Sequence, residues 1–396
     1  MTTGLSASGA LLAIAAAKAA AKDPNTYVLK PKANQKIFDQ LIVQEELLHL
    51  KNVGHLDDQV QPLAVFVVGQ TASGKTRLAA DLLDVMQGRQ PAHLVSDVYK
   101  AYHPKYKTVI KEHPNIASAA TSIDARKWLN LAIRWLIQRH IDVLLEAACR
   151  HPDDVTSLIS EFRAAGYRVL VAIMAVPECL SLLGTMVRFY DRLPEAKSAK
   201  VALRVTPGEV HHETCVSLTI TLLQEGLLAV ANFIDNSAAV KNVVVLRRNN
   251  LVAYQNFRGL DGLWVRPAVA FASLDLEGVR PLPATEHESF VADCLYVEEQ
   301  RAKKLQRKKQ KEKEQKKGKE KVTNTTIEDV EASLAGLMSM GGRLNASFPH
   351  LKQFDIKEWM FGDWDLNNVG SGLPKQNVET VLPRNSILQE SARVEH

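Results

Sequence analysis

Gly69, Gly74, Lys75 and Thr76 stand in the stretch VVGQTASGKTRLAADLL with four residues between the first glycine and the Gly-Lys-Thr triplet. That spacing suits one task, the cradling of phosphate. Glycines let backbone N–H groups turn inward around phosphate oxygens, and a helix that follows aims its positive end at the same point. Lys75 then reaches the outer phosphates, and the Thr76 hydroxyl can ligate Mg²⁺. The whole run Gly69, Gln70, Thr71, Ala72, Ser73, Gly74, Lys75 and Thr76 is the candidate nucleotide-binding loop, with ATP or GTP and Mg²⁺ as its ligands. A guanine-selective GTPase would carry an Asn-Lys-x-Asp element late in the fold, and AVPECLS at the corresponding strand end offers none.

Other charged groups fall where such a loop could use them. Asp97 ends the apolar run AHLVSD, and ligands of open α/β sheets lie beyond the carboxyl ends of strands. There an Asp can take a proton from a hydroxyl or hold Mg²⁺ through water. The alternative is a helix N-cap. Glu146 ends DVLLEAACR, placed either to grip a hydroxyl-bearing substrate or to serve as a carboxylate ligand of Mg²⁺. Arg150, four residues on, either pairs with it or faces an anion. Arg188 and Arg204 flank RFYDRLPEAKSAKVALR, where they could neutralise a phosphoryl group in transfer or simply be surface charges.

The elements that must position these groups alternate. LAVFVV (63–68), AHLVSD (92–97), IDVLLEA (141–147), YRVLVAIMAV (167–176), NVVVLRR (242–248) and LVAYQNF (251–257) read as strands, several of them continuous apolar runs. Between them lie helical patterns. Leu78, Leu82, Val85 and Met86 share a face, as do Trp128, Ala132 and Trp135. One helix ends at Gly166, and another begins with a capping box at Thr206, Pro207 and Glu209. Apolar strands between amphipathic helices predict a mostly parallel sheet covered on both faces. The expected fold is therefore the three-layer α/β/α arrangement of P-loop NTPases, with helical or irregular extensions at both ends.

The expected organisation is an N-terminal helical extension (1–60, with IFDQLIVQEELLHL as one helix), a P-loop domain (61–260) and a connecting segment (261–300). A basic helix or linker (301–322) and a C-terminal extension, partly disordered (323–396), follow. The charge is uneven. Of a net +5, twelve Lys/Arg against three Glu lie between Arg301 and Lys321, so the remainder is mildly acidic. That basic run could contact nucleic acid or an acidic surface. It lacks interleaved aromatics for base stacking, which favours a solvated linker helix. WMFGDWD (359–365) reads as a segment that packs, on this chain or on a partner. Cys149, Cys179, Cys215 and Cys294 are far apart and predict free thiols in a reducing compartment. The N-terminal apolar stretch is shorter than the roughly 20 residues that span a bilayer. Its lysines follow it, unlike those of a signal peptide. A cytoplasmic protein without a transmembrane segment is the expectation. An organellar targeting helix is the alternative at this terminus.

In order along the chain, GQTASGKT, VSDVYKAYHPKY, LLEAACR, AGYRVLVAIMAVP, SLLGTMVRFY and ALRVTPGEVHHE resemble the sequence blocks of the zeta toxins. These are small-molecule kinases of bacterial toxin–antitoxin systems. The resemblance covers about residues 62–258. It implies transfer of the γ-phosphate of ATP or GTP, with Mg²⁺, to the 3′-hydroxyl of the amino sugar in UDP-N-acetylglucosamine. By the same resemblance Lys75 and Thr76 hold nucleotide and metal, and Asp97 is the general base. Glu146 binds the sugar, and Arg188 and Arg204 steady the transferred group. His103, Arg150 and Thr121 are substrate-side candidates, with a packed structural role beside Pro104 as the alternative for His103. The family's P-loop is blocked by an antitoxin helix, which makes an antitoxin-like or autoinhibitory helix an expected partner. The sequence departs from the family pattern on the acceptor side. Ala147 and Ala148 replace Gly and Thr, Val205 stands at an often small position, the segment between the two arginines is longer, and His212-Glu213 replaces His-Asp. A kinase for another small hydroxyl compound, or a nucleotide-dependent interaction protein, are the alternatives these changes leave.

Overall fold

The computed structural model describes residues 23–52, 60–112, 114–197, 226–315 and 351–362. Arg204, Val205, the capping box from Thr206, His212-Glu213, Cys215, the N-terminal apolar stretch and the helical pattern at 327–340 lie outside the described residues.

Among the described residues six strands form one sheet: β1 (Leu63–Gly69), β2 (Ala92–Val95), β3 (Val143–Ala147), β4 (Arg168–Met174), β5 (Asn242–Arg247) and β6 (Leu251–Phe257). Their order is β2-β3-β1-β4-β5-β6. All neighbours are parallel except β5 and β6, a tight reversal. The apolar runs dictate this. Every residue of β1 is buried. Leu63, Val65 and Val67 join the core on one face, and Ala64, Phe66 and Val68 join the core on the other. A strand dry on both sides needs helices on both sides.

On the first face lies α2 (Lys75–Met86), through Leu78, Ala79, Leu82 and Met86. The opposite face carries α5 (Pro114–Ile137), α6 (Pro152–Ala164) and α8 (Gly226–Asn236). In α5 the buried stripe is Trp128, Ala132, Ile133 and Leu136. Trp135 lies only half-buried, with the Arg139 guanidinium 3.9 Å above its ring. Two short helices, α3 (Ser96–Tyr99) and α4 (Tyr106–Glu112), connect β2 to α5, and α7 (Glu178–Lys197) follows β4.

The segments outside this alternation are built into it. In the N-terminal extension α1 (Pro31–Ile37) continues through Phe38–Leu47 and Leu48–Asn52 as one helical rod. Phe38, Ile42 and Leu47 enter the core. The fully buried Asp124 carboxylate of α5 accepts the Leu29 N–H (2.9 Å) and the Asn34 amide (2.8 Å), which offsets the cost of burying its charge. Trp128 donates to the Asn34 carbonyl at 3.0 Å.

Beyond the sheet, α9 (Ala270–Val279) packs on α8 and β5, and the long α10 (Ala284–Gln315) packs along α7. Leu282, Phe290, Cys294 and Val297 meet Cys179, Leu180, Leu183, Met186 and Tyr190 there. Glu277 accepts two bonds from Arg247 (2.6 and 2.7 Å) and one from Arg280 (2.6 Å), tying α9 to β5. The start of the basic run continues α10 to Gln315. The chain then returns: Val252 donates to Lys352, and Phe354 donates to Asn250, each at 2.9 Å. From there α11 (Ile356–Phe361) sinks Trp359 and Met360 against the α2 face. The described part of the aromatic–acidic cluster therefore packs on its own domain. Among the described residues no helix is long and apolar enough to cross a membrane.

Candidate active site

β1 delivers the chain to the carboxyl edge of the sheet, and the phosphate loop turns there. Gly69 has no room for a side chain. A Cβ would lie 2.8 Å from Met174 Cβ and 2.8 Å from Ser73 Oγ. Gly74 caps α2 with φ 107°, a left-handed conformation that favours glycine. Ala72, at φ 61°, also adopts that region. Two bonds from one Arg248 nitrogen hold it, to the Ala72 carbonyl (3.0 Å) and to the Leu180 carbonyl of α7 (2.9 Å). Gly184 of α7 leaves space for the clamp, since a Cβ there would approach Ala72 and Arg248 to 3.2 Å. Gln70 is buried and donates to the Val176 carbonyl and to Ser181 Oγ. The Ser73 hydroxyl is buried with no hydrogen-bond partner among the described residues.

The loop's cation rests on the loop itself. The Lys75 ammonium donates to the carbonyls of Gly69 (2.6 Å) and Gln70 (2.7 Å). Burial lowers its pKa to about 8, and Arg188 pushes the same way, against Cys149, Glu146 and Asp97. Asp97 from α3, Glu146 from β3 and Arg188 from α7 all stand within electrostatic reach of one ammonium. These three groups come from distant stretches of the sequence.

Asp97 is placed differently from its expected position. β2 ends at Val95, and Asp97 lies in the first turn of α3; the N-cap of that helix is Val95, with no side-chain cap. Its half-exposed carboxylate pairs with Lys100 at 2.8 Å. Glu146 has both oxygens engaged. Oε2 accepts from the Thr76 hydroxyl at 3.0 Å, and Oε1 lies 2.9 Å from His93 Nε2. Burial raises its pKa, but the bonds from His93 and Thr76 and the attraction of Lys75 outweigh that and hold it below the usual carboxylate value. With 5% of its side chain exposed, Glu146 faces Thr76 at the start of α2.

Arg150 lies exposed in the loop after β3. The imidazole of His103 is fully buried, 3.0 Å from the Tyr27 carbonyl and 3.6 Å from Asp124. It is packed against the N-terminal extension, which suits a structural role. Thr121 is fully buried in α5 and donates to the Ala117 carbonyl at 2.8 Å. Neither is turned toward the loop.

Three residues escape a motif search. Arg248 has one signal, a charge at the carboxyl end of an apolar strand. His93 has another, a polar residue at an alternate position of a short strand beside β3. Cys149 has none. Its thiol is pushed up to about 12 by burial and takes a bond from the Gly69 backbone. With Cys179 and Cys294 it is a free thiol, as expected.

The loop fits a nucleoside triphosphate. A tight glycine turn, a helix start, an ammonium and a buried hydroxyl without a partner meet at one point, which is the donor set for phosphate oxygens. No group of three or more His, Cys, Asp or Glu suited to a metal occurs among the described residues. Mg²⁺ needs no such cage, since it is commonly held by one or two protein oxygens plus phosphates.

Comparison with known proteins agrees with this geometry. The family model described as Zeta toxin matches residues 48–258. Toxin zeta of Enterococcus hirae is 25% identical over 150 residues, 38% of this chain and 51% of that protein. Toxin PezT of Streptococcus pneumoniae serotype 4 is 24% identical over 188 residues, 48% of this chain and 67% of PezT. The chain thus spans about half to two thirds of the length of these relatives. In fold it is similar to a chain from the PezAT chromosomal toxin–antitoxin system of Streptococcus pneumoniae, with a TM-score of 0.50 and 16% identity over 70% of this chain and 99% of that one. Because the family model takes in more than half of its residues, P-loop and sheet included, the chain belongs to the zeta toxin family.

Proposed function

We propose that this chain is a kinase that moves the γ-phosphoryl group of ATP or GTP to a hydroxyl of a nucleotide sugar. UDP-N-acetylglucosamine is the acceptor its family resemblance implies. The observation that carries the proposal is the phosphate loop with Lys75 on it, and Asp97 and Arg188 within electrostatic reach of that ammonium support it. A protein that only binds nucleotide has no use for a carboxylate at the loop's mouth.

The residues take the following parts. Gly69 to Thr76 hold the phosphates, with Lys75 leaving its carbonyl partners for phosphate oxygens and Ser73 gaining the partner it lacks. Thr76 would hold Mg²⁺, with Glu146 behind it. Bound there, the nucleotide and its metal supply the phosphoryl group and part of the charge that neutralises it. Asp97, half-exposed, accepts the proton of the acceptor hydroxyl, worth roughly 10²–10⁴ in rate for a well-placed base. Arg188 attracts the equatorial oxygens, and Arg204 is proposed to join it. Arg150 is the remaining candidate for the acceptor's anionic part. An antitoxin-like partner that covers the loop belongs to the same proposal.

Ala147 and Ala148 favour a second acceptor reading, a different small hydroxyl compound, because a methyl replaces open space and a hydroxyl is lost beside Glu146. The test is incubation with ATP and Mg²⁺ against UDP-N-acetylglucosamine and a panel of sugar nucleotides and small alcohols, read by mass spectrometry. A product heavier by one phosphate, absent with Lys75→Ala, supports the proposal. ATP binding with no transfer to any acceptor refutes it in favour of a nucleotide-dependent interaction protein.

A further inference from the structure

The Thr76–Glu146 contact has a third member that neither the sequence motifs nor the family resemblance assigns. We propose that His93 is a positioning residue for the divalent cation that accompanies the nucleotide. It holds the Glu146 carboxylate in the orientation that engages Thr76. The inference rests on the nucleotide and cation reading given above.

The sheet register brings the three together. β2 and β3 run parallel with His93 opposite Leu144. Side chains alternate along a strand, so His93, Leu144 and Glu146 share one face. Leu144 packs in the core beneath α2, so this is the face on which Thr76 begins its helix. Glu146 is opposite Val67 of β1, just before the loop. His93 Nε2 lies 2.9 Å from Oε1, and the Thr76 hydroxyl donates to Oε2 at 3.0 Å.

The direction of these bonds gives them a consequence. A threonine hydroxyl offers a lone pair to a cation only when its proton points elsewhere. Glu146 accepts the hydrogen bond from that hydroxyl and so leaves the Thr76 lone pairs turned outward. A carboxylate free to rotate would do so only part of the time, and His93 removes that freedom. Partners one step behind a metal's direct ligands commonly set affinity by roughly 10–100-fold.

The experiment uses the full chain, a fluorescent ATP analogue and a Mg²⁺ titration, with affinity in EDTA measured alongside. The wild-type chain should bind the analogue more tightly as Mg²⁺ is added. In His93→Ala the Mg²⁺ midpoint should rise by roughly 10–100-fold while affinity in EDTA stays the same. His93→Gln, which keeps a donor, should recover most of the loss, and melting curves of both variants should match the wild type. The inference is overturned if His93→Ala keeps the wild-type midpoint, or if it weakens binding equally with and without Mg²⁺. A wild-type chain that binds the analogue but gains nothing from Mg²⁺ overturns the cation reading and this inference together. A wild-type chain that gains, with a His93→Ala variant that gains equally, overturns this inference alone.

Discussion

Replacing Arg248 with Ala should damage the phosphate loop without touching any residue of its motif. One guanidinium nitrogen bonds the carbonyls of Ala72 and Leu180 at 3.0 and 2.9 Å. Bonds from a charged donor contribute about 1.5–3 kcal/mol each, and these two share one nitrogen, so about 2–4 kcal/mol is the expected loss of stability. The left-handed conformation of Ala72 adds to the effect, because it costs about 1–2 kcal/mol and needs an external hold. Burial lowers the pKa of Arg248, while Asp293 and Glu286 of α10 favour its charge; Glu286 keeps Arg280, so removing Arg248 takes an attraction chiefly from Asp293. For a domain of this size each kcal/mol shifts Tm by about 2–4 °C, which gives a drop of about 4–16 °C. Relaxation of the loop should weaken nucleotide by about tenfold, equivalent to about 1.4 kcal/mol. Arg248→Lys keeps the charge but not the planar fork, and should fall between the two. The assays are thermal unfolding and titration with a fluorescent ATP analogue. An Arg248→Ala variant that melts with the wild type and binds the analogue as tightly would refute the clamp.

Three further outcomes follow from the same geometry. Gly69→Ala forces a Cβ to 2.8 Å from the anchored Met174 Cβ, so it should cost about 1–3 kcal/mol and most nucleotide affinity; a variant that binds normally contradicts the packing described. Trp359→Ala empties a fully buried site beneath α2, with an expected loss of about 3–5 kcal/mol in denaturant titration, and a loss under 1 kcal/mol would mean that residues 351–362 are not part of the core. Lys75 titrates near 8 in the folded chain against 10.5 for a free lysine. The unfolded chain therefore holds the extra proton between these values, and this group's contribution to stability rises with pH across that window. Nucleotide binding has the opposite sign, since phosphate favours the charged ammonium. Affinity should fall as pH rises through about 8, with proton uptake in calorimetry, and a flat profile would contradict the placement of Lys75.

The alternation of apolar strands and amphipathic helices was legible because the strands are buried on both faces and leave no polar positions to blur the pattern. The loop from Gly69 to Thr76 was legible because its spacing is local. Asp97 was found but assigned to a strand end, since a four-residue helix has no periodicity to read. His93 and Arg248 were missed for a different reason. Each acts on a partner 53 or 176 residues away, a relation that exists only once the sheet register is known. His103 sits in a block that matches the family, yet it faces the N-terminal extension, while Thr121 lies between the matching blocks and bonds its own helix. A shared block fixes position in sequence and leaves the side chain's environment open. Among the described residues after 260, α9 to α11 brace existing faces and add no strand, so no alternation marks them.

The central claim is that phosphoryl transfer to a hydroxyl runs through Asp97 at the mouth of the Lys75 loop. The most direct measurement is a single-turnover time course of γ-phosphate transfer from ATP to acceptor, for the wild type and Asp97→Asn, with analogue affinity measured on both. The wild type should yield a phosphorylated acceptor, and Asp97→Asn should slow transfer by roughly 10²–10⁴-fold with nucleotide affinity nearly unchanged. Equal rates in the two proteins, or ATP bound by the wild type with no acceptor phosphorylated, would contradict the claim.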